Sequence, residues 1–177
     1  MKIRRTLVAA AIAVPALAVA GYALAETGGL LEGSKPATAR FHDPDAAREA
    51  GYTVTVADVA GHTCIDQPGA GGMGVHLLNP SLLDTTVDAT EPEALVYEPA
   101  DDGRLKLAAL EYIVFEQAWK DAHGTDAAAP SLFGQPFLLT PAPNRFGIPS
   151  FYALHSWIWK PNPSGSFQPW NPRVICP

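Results

Sequence analysis

Three of the four tryptophans in this 177-residue chain fall in its last 27 residues, FYALHSWIWKPNPSGSFQPWNPRVICP, beside five prolines and one of only two cysteines. Burying one aromatic ring removes roughly 150–250 Å² from water, so this end is expected to pack back onto a domain rather than trail from it. Residues 151–160 read as a strand. Their alternation places Phe151, Ala153, His155, Trp157 and Trp159 on one face and Tyr152, Leu154, Ser156, Ile158 and Lys160 on the other. Pro161 and Pro163 stop the ladder, because proline has no N–H to donate, and Asn162-Pro163-Ser164-Gly165 is turn chemistry. His155 is the polar exception on an aromatic face. It reads either as a core histidine bonded to a backbone carbonyl or as a metal ligand or acid–base group in an aromatic-lined pocket.

The other end reads as an export signal. Lys2, Arg4 and Arg5 precede an apolar run over residues 6–20, and Ala23-Leu24-Ala25 is a small-residue cleavage site. Residues 1–25 are therefore expected to be removed near Ala25, leaving no stable membrane anchor and a secreted or extracytoplasmic protein. Removal takes away three of the twelve basic residues and no acidic one, which leaves a formal charge of −9. Such an acidic chain argues against a nucleic-acid partner. In an oxidising compartment Cys64 and Cys176 are expected to form a disulfide that pins the tail to the early part of the domain. The alternative, two thiolates on a metal, requires reduced cysteines.

What remains has the length of one domain. Residues 26–37, rich in glycine and polar groups, read as a flexible spacer, and residues 38–177 as a single globular domain. Asp43 caps a short helix with Pro44 in its first turn and Gly51 at its end. Residues 52–59 alternate as a strand, residues 61–72 form a glycine-rich loop, and residues 73–79 form a short strand on which Gly74 and His76 share a face. The glycines match no phosphate-binding fingerprint and suit tight turns or close backbone approach. Residues 94–98 and 105–115 make a hairpin around the turn Pro99-Ala100-Asp101-Asp102-Gly103, with a helix as the alternative for the second arm. As a strand, that arm points Glu111 with Leu105, Leu107, Ala109, Ile113 and Phe115. A carboxylate on an apolar face is either solvated at a rim or held for a purpose. Residues 117–123 read as a short helix ending at Gly124, and residues 141–149, irregular with three prolines, as either a lid or an ordered connection.

Gly72-Met73-Gly74-Val75-His76, Pro92-Glu93-Ala94-Leu95-Val96-Tyr97-Glu98-Pro99, Glu111-Tyr112 and the tail pattern LHxWxWxxNPxGxFxxWNP, from Leu154 to Pro172, resemble a group of secreted bacterial proteins of unknown function. The resemblance covers nearly all of the chain after the signal. It implies a single folding unit and brings no substrate with it.

No Gly-x-Ser-x-Gly or His-Glu-x-x-His motif is present. The residues that point to chemistry are His76 and His155, each on a short strand, with Glu93 and Glu111 flanking the hairpin. Two histidines and a carboxylate form a familiar arrangement for zinc, iron or manganese that leaves positions open for water or substrate. Phe151, Tyr97, Trp157 and Trp159 are expected to line a pocket beside them. His42, His62 and His123 read as surface histidines. The expected fold is α+β and mainly β, a curved antiparallel sheet or partial barrel with one to three short helices. The expected function is a secreted pocket protein that binds a metal ion or small apolar ligand and has scope for catalysis. The alternative is a non-catalytic extracytoplasmic structural or interaction protein, with every aromatic in the core.

Overall fold

The computed structural model describes residue 31 and residues 33–177. The expected signal and the first part of the expected spacer lie outside the described residues. The rest of the spacer is not loose: residues 33–38 are helical, and Ser34 and Thr38 are fully buried. A 3-10 turn, Ala39–His42, leads into helix α1, Pro44–Glu49. The carboxylate of Asp43 accepts the N–H of Asp45 at 3.0 Å, the N-cap role its sequence position implies.

The body is a curved antiparallel sheet that does not close into a barrel. Its strands are β1 (Val54–Thr55), β2 (Cys64–Gln67), β3 (Gly71–Leu78), β4 (Ala94–Pro99), β5 (Leu105–Phe115), β8 (Leu138–Thr140) and β9 (Phe151–Ser156), with β6 (Ser131–Leu132) and β7 (Gln135–Pro136) paired apart from it. The order across the sheet is β1-β3-β4-β5-β9-β8, with β2 also on β3. The glycine-rich stretch is thus not a loop but a second hairpin, β2–β3. Only two residues of the expected strand over residues 52–59 enter the sheet. Helix α2, Glu116–His123, continues directly from β5 and stops at Gly124.

Alternation gives the sheet two unlike faces. On one, Leu77 lies across from Leu95, Leu95 from Leu110, Tyr112 from Leu154 and Val114 from Tyr152, and all are buried in the main core with Phe41, Ala47 and Tyr52. Three tyrosine hydroxyls in this core donate to backbone carbonyls: Tyr97 to Phe41 at 2.7 Å, Tyr52 to Pro92 and Tyr112 to Ala89, both at 2.8 Å. Each ring therefore fills the core and also ties down a connecting segment. The other face carries His76, Ala94, Val96, Ala109, Glu111, Ile113, Ala153 and His155.

A bulge between Val96 and Tyr97 puts Val96 opposite Ala109 but Tyr97 opposite Leu107, leaving Ala108 as the extra residue of β5. Leu107 therefore belongs to the core face, not to the face of Glu111 as simple alternation suggests. The carbonyl of Ala108 accepts the N–H groups of Trp159 and Lys160. The expected strand over residues 151–160 ends at Ser156, because from Trp157 onward the chain bonds to this carbonyl and to Ser166 rather than to the ladder.

The proline-rich tail then finds its partners one by one. Asn162 Nδ2 donates to the carbonyl of Trp170 at 2.9 Å, and Asn171, fully buried, exchanges backbone hydrogen bonds with Gly72. Gly71 has φ +110°, and a Cβ there would run into the backbone of Asn171. Cys64 and Cys176 form the expected disulfide across a separation of 112 residues. Closing so long a loop stabilises the fold by restricting the unfolded chain. A C64S/C176S double variant is expected to lose about 2–4 kcal/mol in urea unfolding with an unchanged native spectrum. Equal stability of the variant and wild type would show that the tail is held by its hydrogen bonds alone.

Candidate metal centre

Glu111 and His155 are direct cross-strand partners on β5 and β9. His76 lies on β3, two strands from Glu111 across β4 and three from His155. Adjacent strands are about 4.8 Å apart, so a gap of two is about 10 Å, more than two backbones can bridge directly. The side chains bridge it because the residues between them are small: Ala94 faces Glu111 and Val96 faces His76. Gly74, two residues before His76, lets β3 approach β4 closely. It has φ +102°, and a Cβ there would meet the carbonyl of Tyr97.

The three groups meet tip to tip. His76 Nε2 is 3.5 Å from His155 Nε2 and 3.4 Å from Glu111 Oε2, and His155 Nε2 is 3.6 Å from Glu111 Oε1. All three residues are buried. The separations exceed the 2.7–3.2 Å of a good hydrogen bond. Two ligands about 2.1 Å from one ion at a near-tetrahedral angle lie ~3.4 Å apart, so the triangle matches donors around a shared metal better than donors bonded to each other.

Burial dominates the electrostatics. It lowers His76 to a pKa of about 4, against a smaller upward pull from the backbone of Gly74, although Nδ1 of His76 has no partner in hydrogen-bond geometry. It lowers His155 to about 3, with the neighbouring His76 adding to the effect. It raises Glu111 to about 8, and the charge of Glu93 adds to that. Both imidazoles are therefore neutral at pH 7, each with a lone pair to give, while the same burial holds Glu111 in its protonated form until a cation displaces the proton. Neutral imidazole and carboxylate are the forms that ligate a divalent ion.

The triad forms the polar floor of a cavity of about 300 Å³. The walls are apolar: Ile113 and Phe115 from β5, Phe151 and Ala153 from β9, Leu138 and Leu139 from β8, Phe146 and Ile148 from the connection after β8, and Phe167 and Trp170 from the tail. Arg145 anchors that connection, donating to the carbonyl of Asp66 at 2.7 Å and to Asp58 Oδ2 at 3.1 Å.

Of the residues singled out in the sequence, His76, His155 and Glu111 come together and Phe151 lines the cavity. Glu93 does not join them. It is buried, and its Oε2 accepts the N–H of Ile113 at 2.8 Å, which stitches the end of β4 to β5. Tyr97 lies in the main core on the opposite face, where alternation along β4 places it with Leu95. Trp157 is buried behind the site in a second cluster with Val96, Ala108, Ala109 and Val174. Its ring stacks on that of His155 at 6.1 Å between centroids, and its Nε1 donates to Gln168. It buttresses a triad residue and does not line the cavity. Trp159 turns the other way, edge-on to His42. His42, His62 and His123 are exposed. Sequence reasoning missed the cavity mouth, where Leu138, Phe146 and Ile148 sit in short or irregular segments without periodicity. The adjacent leucines of β8 were the one available signal.

Comparison with protein-family models, with curated proteins and with solved structures found no match.

If Glu111 is there for chemistry, the metal-free fold gains nothing from it, because a buried carboxyl without a close partner costs free energy. Glu111→Leu in chelator-stripped protein is expected to keep or raise the free energy of unfolding, by up to about 2 kcal/mol. A loss of that size in denaturant titration would instead mark Glu111 as a structural residue.

Proposed function

We propose that this protein binds a single divalent transition metal ion, zinc, iron or manganese, through His76, Glu111 and His155, and presents it to a small apolar molecule in the adjoining cavity. The observation that carries this reading is the triangle of two imidazole nitrogens and one carboxylate at 3.4–3.6 Å, buried at the base of an otherwise apolar cavity. Three protein ligands on one side of an ion leave its other positions facing the cavity, the arrangement used by catalytic sites rather than by closed structural ones. Metal binding would also offset the desolvation of the carboxylate. Among the described residues no other group of three histidine, cysteine or acidic side chains has this geometry.

Such a centre gives scope for catalysis by polarising a bound oxygen or holding a metal-bound hydroxide. Apart from the three ligands the cavity offers only Thr140 as a polar wall residue with a hydroxyl, so proton transfer would fall to the ion's own water. The reading as a purely structural envelope protein accounts for the core aromatics but not for three poorly bonded polar groups beneath an apolar cavity. The disulfide is consistent with an extracellular protein, and among the described residues no helix is long and apolar enough to cross a membrane. Together with the charge pattern of residues 1–25, this supports export and action outside the cytoplasm.

Elemental analysis of untagged protein from its exported fraction is expected to give close to one metal per chain. His76→Ala and His155→Ala should each lower affinity by more than about 100-fold, since even residues that only orient ligands are worth 10–100-fold. Metal at 100 times its Kd should raise unfolding free energy by about 2.7 kcal/mol, measured by thermal or urea denaturation. Folded wild-type protein that takes up no zinc, iron or manganese would sink the reading.

A further inference from the structure

We infer that the ligand of this cavity is a monoanionic amphiphile, a medium-length hydrocarbon or aromatic body ending in a carboxylate, with the carboxylate on the metal and the body along the apolar wall toward Leu138 and Ile148. The inference rests on the metal centre proposed above and deepens it.

The first ground is charge. A dication held by two neutral imidazoles and the single carboxylate of Glu111 carries a net charge of +1. None of the other residues lining the cavity is acidic or basic. An uncompensated charge in a low-dielectric pocket is strongly unfavourable, and the remaining compensation has to come from the occupant of the open position. Hydroxide meets that need in the resting site. An organic occupant meets it best as a monoanion, because a neutral ligand leaves the charge unbalanced.

The second ground is shape. Beyond the floor the lining is hydrocarbon and aromatic except for the Thr140 hydroxyl, so most of the rest of the ligand must itself be apolar. At about 30 Å³ for each water- or methylene-sized group, a cavity of about 300 Å³ holds roughly ten such groups. Small anions leave most of this wall uncovered.

The third ground is the mouth. Leu138 is 51% exposed, Leu139 45% and Ile148 38%, yet all three also line the cavity. A continuous apolar track from floor to surface fits a ligand whose body extends out of the site. It does not fit one that is enclosed and polar at both ends.

The test is calorimetric titration of octanoate, 1-octanol and acetate into the full protein loaded with one equivalent of zinc, and into the metal-free protein. Octanoate is expected to bind one site on the zinc form, at least tenfold tighter than either 1-octanol or acetate and at least tenfold tighter than to the metal-free form. Across butanoate, hexanoate and octanoate, affinity should climb about fourfold per methylene. Ile148→Asn, at the half-open mouth and outside the sheet, adds polarity without charge and should weaken octanoate at least tenfold while zinc and acetate bind as before. With zinc bound one to one, equal affinity for octanoate and 1-octanol, or for octanoate and acetate, overturns the ligand class and leaves the metal centre standing. Wild-type protein that binds no zinc, iron or manganese removes the metal centre and this inference together.

Discussion

The arrangement of this molecule depends on one cross-strand pair, Glu111 opposite His155 at the centre of the sheet. Directly opposed residues in an antiparallel ladder hold their Cβ atoms about 5 Å apart, so this pair is positioned by backbone register and not by flexible loops. His76 is brought to it from β3 by the small side chains of β4 and by Gly74, which lets the two strands close. A site built on strands of one continuous paired sheet, β3, β5 and β9 with β4 between, is stiff. The residues that could loosen it, at the cavity mouth, are confined to one short edge strand and one loop tied down by Arg145.

The two faces of the sheet divide the work. One is a conventional core in which leucines oppose leucines and the hydroxyls of Tyr52, Tyr97 and Tyr112 each have a carbonyl. The other has an apolar end, around Ala109 and Val96, sealed by Trp157 and Val174, and a hollow end around Ile113 and Ala153. The triad sits at the border. Its burial favours the neutral form of all three groups and leaves them without good hydrogen bonds, a cost that aliphatic side chains would not carry. Stability is drawn from the opposite face and from the disulfide, so the site face is free to carry strained electrostatics.

Much of this was legible in the sequence, and what was not has a local cause. Period-two alternation put Phe151, Ala153 and His155 on one face and Glu111 with Ile113 and Phe115, because both strands are regular over those residues. The hairpin turn, the helix capped by Asp43 and the disulfide followed from turn chemistry and cysteine count. Alternation failed where the ladder slips. One extra residue at Ala108 moves Leu107 to the core face, and nothing in the string LKLAALEY marks a bulge there. It failed again after Ser156, where the string still alternates but the N–H groups of Trp159 and Lys160 bond to the bulge carbonyl. Glu93 and Glu111 look equivalent in composition. Only register tells that Ala94, not Glu93, lies opposite Glu111.

The bulge, the early end of β9 and the tail are one device. The bulge turns the Ala108 carbonyl toward the departing chain, which accepts two of its N–H groups and bends it off the sheet. That bend lays Trp157 flat behind His155 instead of letting it continue into the cavity as strand geometry would dictate. A ring held parallel to an imidazole, fixed at its far edge by the hydrogen bond to Gln168, limits rotation of the histidine about its side-chain bonds. The aromatic tail thus acts at the site from behind. Its prolines and asparagines set its path, Cys176 fastens its end to β2, and Trp157 steadies one of the three candidate ligands that the ladder has already placed.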